Sequence, residues 1–252
     1  FQVRLMTKGF EVVADDSRSS ARAGRILTPH GAIETPAFAP VASQGTVKAL
    51  LHDQVESLGA QLLLINAYHL YLRPGLETVG AAGGVHRFMS WDRPILSDSG
   101  GFQIYSLSPL VKVSDEGVRF ASHLDGTKIF LKPEDVVDIQ RTLGTDIMMA
   151  LDYFVPFASS REKMEAAVDQ TTRWARRAKD RFLESETPQH LWGISQGSVH
   201  WDLRRRSIEE LLEIEFDGYA LGGLGIGEPK AELLETLEKA DDLVPKDKPR
   251  YL

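Results

Sequence analysis

Pro94-Ile95-Leu96-Ser97-Asp98-Ser99-Gly100-Gly101-Phe102-Gln103 is an apolar run that ends in a carboxylate between two hydroxyls, followed by two glycines. The apolar part predicts a buried strand. The carboxylate marks its end, and the glycines allow close backbone approach to a ligand or a positive φ. A lone Asp in such a place is most often a helix cap or turn former. Here the same design recurs on both sides, and that recurrence makes a functional reading stronger.

Working outward, Leu62 to Ile65 leads to Asn66 and His69, and Ile147 to Leu151 leads to Asp152. Leu191 to Ser195 leads to Gln196-Gly197, and Tyr219 to Leu221 leads to Gly222-Gly223-Leu224. Phe38 to Val41 before Ser43-Gln44-Gly45 reads as another strand, and Arg250-Tyr251-Leu252 begins one more, a seventh and unfinished. Helical patterns fill the gaps. One starts at Lys132-Pro133-Glu134-Asp135, with Pro near its first position and acids in its first turn, and stops at Gly144. Others run from Ser160 to Phe182, Asp202 to Ile214 and Pro229 to Ala240. Alternating strands and helices predict a parallel sheet. Two stretches break the rhythm. The first ~30 residues read as a β segment with a turn at Pro29-His30-Gly31. Between Ser106 and Lys132, alternating Val111, Val113, Val118, Phe120, Ile129 and Leu131 around Asp115-Glu116-Gly117 and Asp125-Gly126 predict an antiparallel β insertion.

Bulk properties bound the answer. The 252 residues suffice for one α/β domain of barrel size. No apolar run is long enough to span a bilayer, and Phe1 to Arg25 lacks the apolar core of a signal peptide. There are no cysteines, so disulfides and thiolate metal sites cannot form within these residues, which fits a cytoplasmic protein. A net charge of −7 argues against broad nucleic-acid affinity but leaves room for a local basic face. The helix bearing Arg173, Arg176, Arg177, Lys179 and Arg181 is the candidate, although a solvated face is the commoner meaning.

In parallel α/β folds, ligands bind at the carboxyl ends of the strands. Asp98, Asp152, Gln196 and Gly223 are all expected there. Together they suit a planar polar ligand. Gly222-Gly223-Leu224-Gly225-Ile226-Gly227 also looks like a phosphate cradle, without the Gly-x-Gly-x-x-Gly spacing.

These residues resemble the bacterial queuine tRNA-ribosyltransferase (tRNA-guanine transglycosylase) family. The resemblance runs through Asn66-Ala67-Tyr68-His69-Leu70, Arg73-Pro74-Gly75, Trp91 to Gln103, Ser122-His123-Leu124-Asp125-Gly126 and Asp146-Ile147-Met148-Met149 with Asp152. It continues in Gln196-Gly197, Phe216 to Leu224 and Pro245 to Leu252. It implies one (β/α)8 TIM-barrel domain over residues 1–252, incomplete here, whose closing strands and zinc subdomain would follow. It implies a pentosyltransferase that swaps the wobble guanine of tRNA for a 7-deazaguanine, preQ1 or queuine, through a covalent ribosyl-enzyme intermediate.

Roles follow residue by residue. Asp98 matches the general acid/base and Ser99 a base contact. Asp152 matches the carboxylate that accepts the base's N1–H and exocyclic amine. Gln196 and the Gly223 N–H match the donors to its carbonyl, the Leu224 carbonyl the acceptor for the 7-substituent, and Phe102 the stacking aromatic. The C1′-attacking carboxylate matches no residue here, so this chain alone is expected not to exchange bases. A structural Zn2+ held by three Cys and one His is implied, with its ligands outside these residues. The implied partners are tRNA, the free 7-deazaguanine and a second copy in a homodimer. Tyr153-Phe154 stand where bacterial members commonly read Glu-Cys, and Ser198 where a glycine is common. Two rival readings are a non-catalytic base- or tRNA-binding family member, and a metabolic TIM-barrel enzyme with a phosphate at Gly223.

Overall fold

The computed structural model describes residues 8–107 and 111–252. Residues 1–7, at the head of the expected N-terminal β segment, and 108–110, inside the expected insertion, lie outside the described residues. The order begins with β1 (Gly9–Asp15), β2 (Arg22–Thr28), β3 (Gly31–Thr35), α1 (His52–Ser57), β4 (Leu63–Asn66), α2 (Ala67–Leu72), α3 (Leu76–Ala81) and α4 (Val85–Met89). It continues with β5 (Ile95–Asp98), α5 (Gly101–Leu107), β6 (Lys112–Ser114), β7 (Gly117–Ala121), β8 (Lys128–Leu131), α6 (Pro133–Leu143) and β9 (Ile147–Met149). Then follow α7 (Arg161–Leu183), β10 (His190–Ser195), α8 (Trp201–Ile214), β11 (Gly218–Leu221), α9 (Lys230–Asp241) and β12 (Arg250–Tyr251). No helix of the described residues is long and apolar enough to cross a membrane.

The chain divides into two compact units. One comprises Phe1–Gly100, Val137–Met149 and Ser185–His190; the other comprises Gly101–Val136, Ala150–Glu184 and Leu191–Leu252. In the first unit, β1, β2 and β3 form the expected antiparallel N-terminal segment, with Thr28 paired to Gly31 across the Pro29-His30 turn. The Thr28 hydroxyl donates to the Gly31 carbonyl at 2.8 Å and fixes that turn. Strands β4, β5 and β9 are parallel, with Leu63 opposite Ile95, Asn66 opposite Asp98 and Leu96 opposite Ile147. Leu63, Ile65, Ile95 and Ile147 are wholly buried, as befits strands covered on both faces. Buried Gln140 of α6 completes β9: its amide donates to the Met149 carbonyl and accepts from the Met149 N–H, both at 3.0 Å.

One expectation fails here. Phe38 to Val41 is not a strand; only Val41 forms a single parallel bridge, to Leu64. Pro36 precedes the run and Pro40 lies inside it, and a proline nitrogen cannot donate to a ladder. Phe38 is consequently left on the surface rather than in the core.

In the second unit, β6, β7 and β8 form the expected antiparallel insertion, with Val113 opposite Val118 and Arg119 opposite Phe130. From Leu191 onward β10 runs parallel to β11, and β11 to β12, with Ser195 opposite Leu221 and Tyr219 opposite Arg250. The Ser160 hydroxyl caps α7 by accepting from Lys163 N at 3.4 Å. Met164 and Val168 of α7 pack on Leu203 of α8, with Val155 beside them. Each such buried side chain contributes roughly 1.5–3 kcal/mol. The expected boundaries of α6, α7, α8 and α9 agree with the observed ones to within two residues. The result is an α/β fold with parallel strands, a β segment at its start and a β insertion.

Candidate functional site

In the second unit, Asp152 follows β9 by three residues and Gln196 follows β10 directly. The buried Gln196 amide donates through Nε2 to Asp152 Oδ2 at 2.6 Å, which fixes its orientation. Its backbone N–H donates to the Ser207 hydroxyl of α8 at 2.9 Å. Two glycines make room for this pair. A Cβ at Gly101 would lie 2.5 Å from Asp152 Oδ1, and one at Gly223 would lie 2.7 Å from Gln196 Oε1. Gly223 also holds a φ of +66°, which disfavours other residues. Leu224 follows, half-buried.

Phe102 is 46% exposed, so it is no core residue. Its ring meets the buried Phe154 edge-on at 4.9 Å and 75°, and Tyr105 meets the same ring at 5.2 Å. Phe154, one of the two departures after Asp152, therefore props Phe102. The other, Tyr153, is held by its N–H on the Thr171 hydroxyl at 3.0 Å.

The glycine-rich loop already contains its own anion. Glu228 accepts the Gly225 N–H and, at 3.0 Å, the Ile226 N–H. Burial would raise its pKa, but these amides hold it below the usual carboxylate value. This built-in carboxylate argues against the phosphate-cradle reading.

The basic face of α7 is likewise satisfied from within. Arg173 pairs with Asp115 at 2.9 Å, Arg176 with Glu213 at 3.3 Å and Arg177 with Glu134 at 2.7 Å. Lys179 donates to the Glu215 carbonyl at 2.6 Å, and Arg181 pairs with Glu184. It is a solvated, self-paired face.

In the first unit, Asp98 is the last residue of β5, paired in register with Asn66 at the end of β4. Ser99, next to it, is buried. Asn66 Oδ1 caps α2 by accepting from Tyr68 N at 3.1 Å and His69 N at 3.4 Å. His69 and Ser43, Gln44, Thr46 and Lys48 line a cavity of about 510 Å3.

At the amino ends of β5 and β9 lies a cluster that sequence reasoning missed. Asp146 Oδ1 is 2.8 Å from His30 Nδ1, and Asp146 Oδ2 is 3.0 Å from His86 Nε2. The Ile95 N–H donates to Oδ2 at 2.8 Å and the His30 N–H to Oδ1 at 3.2 Å. The two imidazoles stack at 3.5 Å and 13°. Burial alone would raise Asp146, but the hydrogen bonds and charge of His30 and His86 hold its carboxyl well below the usual range. The Asp146 hydrogen bond raises His30 against the opposing effect of burial, helped by the Asp146 and Asp92 charges. Histidines that look scattered in sequence, 56 positions apart, are thus brought together by the fold.

The three ligand atoms lie within 4.8 Å of one another, which invites a metal. The stack argues against it, because one ion cannot lie in the plane of two parallel rings. Nor can a set of three Cys and one His be drawn from a chain without cysteine. These residues do not fit the structural zinc that the resemblance implies.

The second missed residue is Arg204, wholly buried on α8 and hydrogen-bonded to the Ser195 carbonyl next to Gln196. It looks in sequence like its neighbours Arg205 and Arg206. Its helical phase is the signal that could have found it: it shares a stripe with Ser207, Ile208 and Leu211, all buried.

A family model described as queuine tRNA-ribosyltransferase matches residues 16–252. The queuine tRNA-ribosyltransferase of Desulforudis audaxviator is 53% identical over 243 residues, which cover 96% of this chain and 65% of that relative. That of Pelotomaculum thermopropionicum is 51% identical over 247 residues, 98% of this chain and 66% of the relative. That of Nitratidesulfovibrio vulgaris is 52% identical over 243 residues, 96% and 64%. The chain thus spans just under two thirds of the length of these curated relatives. With a family model matched over nearly its whole length and half its residues shared with such relatives, this chain belongs to the queuine tRNA-ribosyltransferase family.

Proposed function

We propose that the protein containing this chain is a tRNA-guanine transglycosylase that exchanges the wobble guanine of tRNA for a 7-deazaguanine. The observation that carries the reading is the Gln196–Asp152 pair at 2.6 Å beside Gly223. It sets a carboxyl acceptor next to an amide donor, the complement of a guanine edge. Asp152 would accept from N1–H and the exocyclic amine. Gln196 has a second amide hydrogen beyond the one given to Asp152, and that hydrogen and the Gly223 N–H would meet the base's carbonyl. The Leu224 carbonyl would accept from a 7-substituent, and Phe102, braced by Phe154, would stack on the ring. The target base must leave its stack to be read in this way.

The chemistry would follow the two-step logic of retaining glycosidases. A carboxylate attacks C1′, the C1′–N9 bond breaks, and guanine leaves with a proton supplied by Asp98. The incoming base gives its N9 proton to Asp98 as N9 displaces the carboxylate. The nucleophile is not assigned to any of these 252 residues, and Ser99 serves as an added base contact. A single closed (β/α)8 barrel, a structural zinc, a homodimer and a cytoplasmic setting belong to the same proposal.

The test incubates the full-length protein with tRNA and labelled guanine. Incorporation and a covalent RNA adduct on a denaturing gel are expected, and Asp98→Asn should cut incorporation roughly 10²-fold or more while leaving the fold intact. Absence of both guanine incorporation and guanine binding would overturn the reading.

A further inference from the structure

Arg204 carries a guanidinium with no carboxylate in hydrogen-bond contact among its described partners. Nη1 donates to the Ser195 carbonyl at 2.7 Å and the Ser195 hydroxyl at 3.0 Å. Nη2 donates to the Ser198 carbonyl at 2.9 Å and the Gly222 carbonyl at 2.7 Å, and Nε donates to Ser198 again at 3.2 Å. All five N–H donors of the group are thereby matched. Burial pulls its pKa down to about 9, with Glu228 acting the other way, so the group keeps its charge at neutral pH.

The partners are not arbitrary backbone. Ser195 and Ser198 bracket Gln196, and Gly222 adjoins Gly223. One side chain thus ties the carboxyl ends of β10 and β11 together, at the two places from which the carbonyl-facing donors project. The neighbouring turn of α8 adds a second tie, since Ser207 accepts the Gln196 N–H. Gly197 is pressed onto the same helix: a Cβ there would lie 2.6 Å from Arg204 N. Ser198 holds a φ of +50° while its carbonyl takes two of the Arg204 bonds.

We infer that Arg204 is a positioning residue that holds Gln196 and Gly223 in register to read the 6-carbonyl of the purine and places a fixed positive charge behind them. The inference rests on the transglycosylase reading and adds to it the source of discrimination for an oxo group. A lysine could not do the same work, because its ammonium offers donors from a single point rather than a planar fork. Charge matters as well as geometry: a cation behind two donors strengthens their bonds to an oxygen in a water-poor site. A guanine-type base would feel both effects, whereas a purine without the 6-oxygen would feel neither.

The experiment uses the full-length protein with guanine and 2-aminopurine, which lacks the 6-oxygen, as competing bases. In the wild type, guanine should bind and exchange, and 2-aminopurine should inhibit weakly. In Arg204→Met, KM for guanine should rise roughly 10²-fold, the scale of loss when positioned groups slip by an ångström, with kcat at saturating guanine little changed. Inhibition by 2-aminopurine should change less than about threefold, so that the preference between the two bases collapses. Arg204→Lys should recover only part of it. If Arg204→Met does not fold, Ser207→Ala carries the same test, with an expected loss of about tenfold confined to guanine. Equal losses for both bases, or an unchanged preference in the folded variants, overturn the positioning role. A wild-type protein that neither binds nor exchanges guanine overturns the transglycosylase reading itself, and the role of Arg204 falls with it.

Discussion

Asp146 and Asp152 flank one short strand, three buried residues that form β9. Asp146, before the strand, is wholly buried as a side chain and receives hydrogen bonds from two imidazoles and two backbone amides. Asp152, after the strand, is half-buried and accepts a hydrogen bond directly from a side-chain amide, with Gly101 pressed close beside it. The first carboxylate has its lone pairs consumed by the fold. The second accepts a hydrogen bond from the Gln196 amide and keeps part of its surface exposed. Identical residue types six positions apart therefore stand in different settings, one sealed in the interior and one partly open to solvent. In parallel α/β folds, the amino ends of strands serve stability and the carboxyl ends serve ligands, and these two residues stand at opposite ends of the strand.

The contrast can be tested by substitution. Asp146→Ala should be the most damaging change, since it strands two imidazoles and two backbone amides. A loss of about 3–5 kcal/mol is expected, seen as a large fall in Tm or in the denaturant midpoint. A stable Asp146→Ala protein would break the comparison. Asp152→Asn should do the reverse. It replaces an acceptor by a donor, and guanine binding by calorimetry should weaken by about 2–3 kcal/mol while Tm scarcely moves. Unchanged affinity would remove Asp152 from base recognition.

Acidity gives a finer test. Asp146 is depressed below its unfolded value of 3.8, so its contribution is present above that pH and is lost as the pH falls through the folded value. His30 is raised above its unfolded value of 6.5, so its contribution is full below 6.5 and is lost as the pH rises through the folded value. The His30–Asp146 clamp should therefore be strongest between pH 3.8 and 6.5. His30 is 39% exposed, and screening limits its share to less than about 1 kcal/mol. Comparing Tm against pH for the wild type and His30→Gln checks this: the difference should shrink above pH 6.5. A difference that grows there would mean the sign is wrong. The smallest effect is expected at the exposed Arg176–Glu213 pair, the control for an ion pair that neither clamps nor binds. Arg176→Ala should cost less than about 0.5 kcal/mol and leave tRNA affinity within about twofold. A marked loss of tRNA binding would restore α7 as an RNA contact.

Much of this was legible in the chain. The buried strands announced themselves as unbroken apolar runs, and α6 and α7 by Pro133 and Ser160 at their starts. Asp98, Asp152 and Gln196 could be placed because a polar residue that closes an apolar strand has a predictable position. Phe38 to Val41 misled because hydrophobicity alone does not supply N–H donors, and Pro40 removes one from the middle of the run, leaving a single bridge to Leu64. The His30–His86–Asp146 cluster was hidden because its members come from a hairpin turn, a five-residue helix and a strand start, and no spacing rule links these. Arg204 hid in plain view among arginines, where composition suggests solvent and only helical phase separates the inner one from its neighbours. The basic run on α7 was ambiguous until its acidic partners on other elements were located.

Gly101 and Gly223 carry this argument into mutational tolerance. Neither offers a functional group, yet each lies where a single added carbon would fall within 2.7 Å of an atom of Asp152 or Gln196. In a saturation library scored for guanine incorporation, both positions should be as intolerant as the polar residues they border, and alanine should fare little better there than a bulky residue. A map of such intolerance would outline the pocket from its bare walls, through positions that a search for reactive side chains passes over.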